Sequence, residues 1–146
     1  MVSDQNSINS YVRIIITKYW TDSNNEEDDS LNPDFIEVNI NEDSGWFIDE
    51  NASTSTRLIV YYENILPTGG ETPSAIDSIR VNSNLQNEYE VSKNGNNVSI
   101  ANKYDNHFFN IKIEAQAIQS SNAVYAAVQH WGVNINIDGS GKLTLV

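Results

Sequence analysis

The chain has no cysteine among its 146 residues. That excludes disulfides, thiolate metal sites and thiol nucleophiles. Histidine is nearly as scarce, with His107 and His130 the two present. Zinc peptidases of the common kind place histidines at i and i+4 on a helix with a glutamate as base, and neither histidine sits in that pattern. Eight Lys and Arg stand against 20 Asp and Glu, a formal net charge of −12. The clustered cations that nucleic acid or an anionic bilayer require are therefore missing. No apolar run approaches the ~18 residues of a membrane helix. The opening MVSDQNSINS has no apolar region of the kind a signal peptide carries. A Gly-x-Ser-x-Gly elbow, a phosphate loop and a dinucleotide fingerprint are all absent. Gly69-Gly70 is followed neither by Lys-Ser/Thr nor by a helix start.

What is there is short, alternating and rich in turn residues. Tyr11 to Trp20 is apolar on both faces, with Val12, Ile14, Ile16, Lys18 and Trp20 on one. That suits a central strand or one covered on both sides. Phe35 to Asn41, Trp46 to Ile48, Arg57 to Glu63 and Ala75 to Asn82 read as further strands. Glu88 to Ser92 and Val98 to Ala101 flank an Asn-Gly turn, a hairpin signal. Val133 to Ile137 and Leu143 to Leu145 flank Asp138-Gly139-Ser140-Gly141, a second hairpin.

Between the two hairpins lies the longest pattern, HFFNIKIEAQAIQSSNAVYAAVQHWG. Phe109, Ile111, Ile113, Ala115 and Ala117 alternate with Asn110, Lys112, Glu114 and Gln116, predicting a half-buried strand. Ser120, Ser121 and Asn122 are good N-cap residues. Val124, Ala127, Val128 and Trp131 fall at helical spacing, and Gly132 stands where a helix stops. A helix this short is unstable alone, so its stripe must pack on the sheet. The expectation is an all-β fold, an antiparallel β-sandwich with one short helix near 122–131. Residues 11–146 form one domain, and residues 1–10, polar and aperiodic, a flexible N-terminal segment.

The candidate sites each have a plain alternative. In the acidic loop Thr21 to Pro33, Asp22, Asn24, Glu26, Asp28 and Asp29 offer oxygens at near-alternate positions, a weak echo of a calcium loop. The central Gly and the bidentate Glu at the end are missing, and a solvated loop that repels neighbouring edges is the simpler reading. Lys18 and Asp77 each share a face with apolar residues, so each needs a partner if buried. A strand-end location in solvent, a buried ion pair and an isopeptide bond are all open to them; the last requires an apolar pocket, a neutral Lys and a protonated acid nearby. The aromatics Tyr19, Trp20, Trp46, Tyr61, Tyr62, Tyr104, Phe108 and Phe109 fit core packing, or a carbohydrate platform if several lie exposed in a row.

Taken in order, YVRIIITKYW, GWF, LIVYYENILPTGGETP with IDSIRV, and EAQAIQSSN followed by an Ala-rich helix ending in WGV resemble the TasA/camelysin-like family. These are Gram-positive surface and biofilm fibre proteins exported through the SipW-type signal peptidase. The resemblance spans most of the chain and is closest to the clostridial branch. It implies a jelly-roll course and a secreted, extracellular-matrix or cell-surface location. The chain would be the mature form, not inserted in a membrane, with an added Met. It also implies a homopolymeric fibre subunit whose partner is itself, with other matrix or cell-wall components beside it. No cofactor, nucleic acid or catalytic residue is implied. In such fibres an N-terminal segment adds as a strand to the next subunit's sheet. Here the donor would be Val2, Ser3, Asp4, Gln5, Asn6, Ser7, Ile8, Asn9 and Ser10. Two other functions stay open: a camelysin-like metallopeptidase and a wall- or carbohydrate-binding sandwich.

Overall fold

The computed structural model describes residues 1–3 and 8–146, with only the backbone of 92–94, 97 and 98. The fold is all-β with antiparallel sheets and one short helix. Its centre is β1 (Ser10–Thr21), whose β-branched run Val12, Ile14, Ile15, Ile16 and Thr17 favours extended backbone. The strands β2 (Ile36–Ile40), β3 (Trp46–Ile48), β4 (Arg57–Tyr62) and β5 (Ile76–Val81) follow. The hairpin β6 (Tyr89–Asn94) and β7 (Asn97–Asn102) leads to β8 (Phe108–Gln119). The helix α1 (Ala123–Ala126), a π-turn (Ala127–Trp131), β9 (Ile135–Ile137) and β10 (Leu143–Leu145) complete the chain. The main sheet has the order β3-β4-β1-β8, and β2-β5, β6-β7 and β9-β10 are two-stranded ribbons.

Both faces of the main sheet are covered, and β1 supplies the core of each. Its even-numbered face buries Val12, Ile14 and Ile16 with Trp46, Val60 and Leu66 under Val38, Ile40 and Ile76 of the β2-β5 ribbon. Its odd-numbered face buries Tyr11 with Ile59, Tyr61 and Ile118 under Ala126, Ala127, Trp131, Ile135 and Leu143. Each fully buried aliphatic side chain contributes about 1.5–3 kcal/mol. A third cluster ties the acidic loop down. Leu31, the apolar residue of that loop, packs with Trp20, Ile36 and Tyr104, and the Trp20 indole donates to Asn32 O at 2.9 Å.

The helix departs from its predicted face. Ala123, Ala126, Ala127 and Trp131 are buried, while Val124 and Val128 are 49% and 45% exposed. Small side chains let the backbone sit close on the sheet, and the π-turn shifts the angular spacing of the last turn. Asn122 stands at the N-cap but adopts φ 61 and makes no side-chain cap; it serves the left-handed turn out of β8, which Asn tolerates. Gly132, at φ 67, ends the helix as expected. The first hairpin turns on Gly95-Asn96 rather than Asn94-Gly95, with the glycine at φ 63 in the first central position.

Candidate functional site

β8 pairs with β1 over twelve residues, from Ser10↔Gln119 to Thr21↔Phe108. It is the last strand of its sheet, so its outer row of N–H and C=O groups meets no strand among the described residues. The sequence assigns Phe109, Ile111, Ile113, Ala115 and Ala117 to a buried face. The structure corrects this: Ile111 is half-buried, Phe109 and Ile113 are 39% and 55% exposed, and Ala115 and Ala117 are exposed. The β2-β5 ribbon covers β1 and β4, and of β8 only Ile111 packs into the same cluster among the described residues. An apolar groove of about 310 Å³ is left there, walled by Ile14, Trp46, Ala75, Ile76, Ile113 and Ala115, with Met1 at its side. On the opposite face of β8 Lys112 and Glu114 are exposed, and the Lys112 ammonium lies 5.5 Å from the Tyr19 ring centroid.

The N-terminal residues run beside this groove. The Met1 amino group donates to Thr72 Oγ1 at 2.8 Å. Ser3 N donates to Gly70 O, Thr72 N donates to Met1 O, and Val2 bridges Glu71. Further on, Ser120 N donates to Asn9 O, and Thr68 N to Asn9 Oδ1. Ser10 exchanges backbone bonds with Leu66 and is already the first residue of β1, so it is not part of a flexible segment. Ile8 is 57% exposed. The remaining donor candidates, Asp4, Gln5, Asn6 and Ser7, lie outside the described residues.

Lys18 and Asp77 do not meet. Lys18 is 7% exposed and donates to Ile36 O at 2.5 Å. Burial pulls its pKa down, and the carboxylates of Asp34 and Glu37 oppose that shift. Asp77 is exposed because β5 carries a bulge: Ile40 pairs with Ile76 and Asn39 with Ser78, leaving Asp77 as the extra residue. An isopeptide bond or buried pair between the two is thereby excluded. Glu37 instead pairs with Arg80 across the β2-β5 ribbon.

The acidic loop spends its carboxylates locally. Asp22 Oδ1 accepts from Asn24 N and Glu26 N at 2.9 and 3.0 Å. Asp28 accepts from Ser30 N at 3.0 Å and from its hydroxyl at 2.5 Å, and its other oxygen lies 3.1 Å from His107 Nε2. The Ser30 bonds first, then His107, hold the Asp28 carboxyl below its ordinary range. Asn24, Glu26 and Asp29 are exposed. Among the described residues no three His, Asp or Glu gather as metal ligands. His107 precedes β8 and His130 follows it, so the strand's length separates them. Of the aromatics, Trp20, Trp46, Tyr61 and Tyr104 are core, and Phe108 and Phe109 are exposed on β8.

Sequence reading missed Arg13. It lies on the odd-numbered face of β1 between Tyr11 and Ile15, and is 7% exposed. The signal was a charged residue inside a strand apolar on both faces. Comparison with known proteins adds nothing to these observations: no family model, curated protein or solved structure matches the chain.

Proposed function

We propose that this protein is a secreted structural subunit that polymerises head to tail into biofilm-matrix or cell-surface fibres. The observation that carries the reading is β8: a twelve-residue edge strand with exposed apolar side chains beside an open apolar groove. Long, unprotected apolar edges template the addition of another strand, and soluble monomers avoid them. A donor strand laid along β8 would gain main-chain hydrogen bonds from the edge and pockets for alternate side chains from the groove. Such a contact joins two different surfaces, does not close on itself and propagates a filament. The jelly-roll course and the extracellular location come from the TasA/camelysin-like resemblance alone.

The donor in this reading is the segment ahead of β1. Val2 and Ile8 share one face of an extended strand, about 20 Å apart. In the monomer residues 1–3 pair with 70–72 of their own chain, so donation exchanges those few bonds for a longer register on the neighbour. Electron microscopy of the purified protein, with the same sample heated in detergent and run on a denaturing gel, tests the proposal. Filaments that collapse to a monomer band are the expected result. Removal of residues 1–8, which leaves β1 whole, should give folded monomers without filaments. Filaments persisting after that truncation would sink the donor assignment, and a wild-type protein that stays monomeric at high concentration would sink the fibre reading.

A further inference from the structure

The main chain of β1 tells which groups of β8 face outward. Ser10 exchanges both backbone bonds with Leu66, and Lys18 N donates to Thr56 O, so the even-numbered residues of β1 point away from β8. Its odd-numbered residues bond to β8, opposite even-numbered partners: Tyr11↔Ile118, Arg13↔Gln116, Ile15↔Glu114. The outer edge of β8 therefore presents the N–H and C=O groups of its odd-numbered residues, Phe109 to Ala117. These residues also carry the apolar face. Sheet edges are ordinarily blunted by proline, a bulge, short length or like charges. The opposite edge of this sheet, β3, has three residues. β8 has twelve, with no proline, no glycine and a continuous register. Its two charges, Lys112 and Glu114, are exposed, of opposite sign, and placed one on each side of Ile113.

We propose that β8 is complementary to itself, and that two free copies pair through it, antiparallel, about a two-fold axis at Ile113. An axis perpendicular to the sheet keeps each face on its own side, so the apolar faces of the two copies meet. Ile113 then lies against the Ile113 of the second copy. Ile111 meets Ala115 and Phe109 meets Ala117, a large side chain against a small one each time. On the other face Asn110 meets Gln116, amide against amide, and Lys112 meets Glu114 twice, once on each side of the axis. Because the odd-numbered residues form the hydrogen-bonded pairs, Lys112 and Glu114 fall at a non-hydrogen-bonded pair, where cross-strand side chains come closest. Axes through Lys112 or through Glu114 instead set like charges opposite each other, so charge selects the register. The contact is isologous and closes at two copies, unlike the head-to-tail contact of the fibre reading. It occupies the edge that a donor strand would take. The pair is thus a resting form of the subunit, which a donor strand opens. The inference goes beyond the fibre reading and does not depend on it.

Sedimentation of the full-length protein, cleared of filaments, tests the pairing over a range of concentrations. A monomer–dimer equilibrium is expected. Lys112→Glu and Glu114→Lys should each weaken it about tenfold, since each sets two like-charge pairs across the axis. Mixing the two variants, or combining both changes in one chain, should restore it. A second measurement reads the register without relying on charge. The natural chain has no cysteine. A mixture of Lys112→Cys and Glu114→Cys proteins should give a disulfide-linked dimer on mild oxidation, because the Cα atoms of a non-hydrogen-bonded pair lie about 4.5 Å apart. Neither variant alone should do so. A protein monomeric at every concentration, reversals without effect, reversals that no mixture rescues, or a cross-link formed as readily by one variant alone would each overturn the proposal. Filaments from a protein that never forms the dimer remove this inference alone; a dimer from a protein that never forms filaments removes the fibre reading and leaves the pairing.

Discussion

β1 and β8 are antiparallel neighbours of equal length, and both alternate apolar side chains along one face. Nine of the twelve residues of β1 are buried, whereas in β8 only Ile118 is. Composition does not separate them, because Ile16 and Ile113 face each other across the ladder with exposures of 0% and 55%. Position does. β1 has a strand on either side and a layer on either face; among the described residues β8 has one neighbour, and on that face Ile111 alone of β8 packs into the cluster under the β2-β5 layer. An apolar side chain is core only where something covers it. On β8 no described element covers Ile113 and Ala115, and under the proposed function the cover is a strand of the next subunit.

The sharpest way to break this comparison is to truncate both members of the facing pair. Ile16→Ala should cost about 2–5 kcal/mol in denaturant unfolding, the range for a fully buried aliphatic side chain. Ile113→Ala should change monomer stability by no more than about 0.5 kcal/mol. Equal losses would mean that β8 is core in solution. Ile113→Lys extends the test to assembly: filaments should disappear from electron micrographs while the monomer melts normally, since a charge on an edge blocks strand addition.

The helix offers a smaller version of the same contrast. Ala127→Leu should destabilise by about 1–3 kcal/mol, because the side chain has no room against the sheet. Val124→Ser on the outer side should stay within about 0.5 kcal/mol. The smallest effect concerns the start of β8, which the Asp28–His107 pair ties to the acidic loop. A carboxyl held below its ordinary value of 3.8 stabilises the fold above that pH, and the contribution is lost as pH falls through its lowered folded value. Asp28→Asn should remove that part of the acid sensitivity. An unchanged melting profile between pH 5 and pH 2 would show the pair to be idle.

Most strands were legible, because alternation and turn residues are local signals. Tyr11 to Trp20 announced itself as a central strand through apolar residues on both faces, and it is one. What stayed hidden was non-local. The face of β8 depends on how far another ribbon extends, and no pattern within β8 encodes that. Asp77 was assigned to the inner face of β5 by strict alternation, and a single-residue bulge turned it out. On α1, alternation between valine and alanine at helical spacing did not reveal that close approach would select the alanines. The candidate site was readable as a strand with an apolar stripe; that the stripe is open was not. Arg13 escaped for the opposite reason: its burial follows from the sequence, but the aromatic rings that receive it come from Tyr61 and Trp131, far along the chain.

The ladder joining β1 to β8 also has a mechanical meaning. Its hydrogen bonds lie across the strand direction, in one register without a bulge. Tension applied along the strands at opposite ends loads every rung at once, in shear, instead of peeling them one after another. A neighbour added along the outer edge of β8 would be held in the same geometry, so a filament pulled along its axis would stretch against whole ladders, and its weak points under load would lie in the loops that join them.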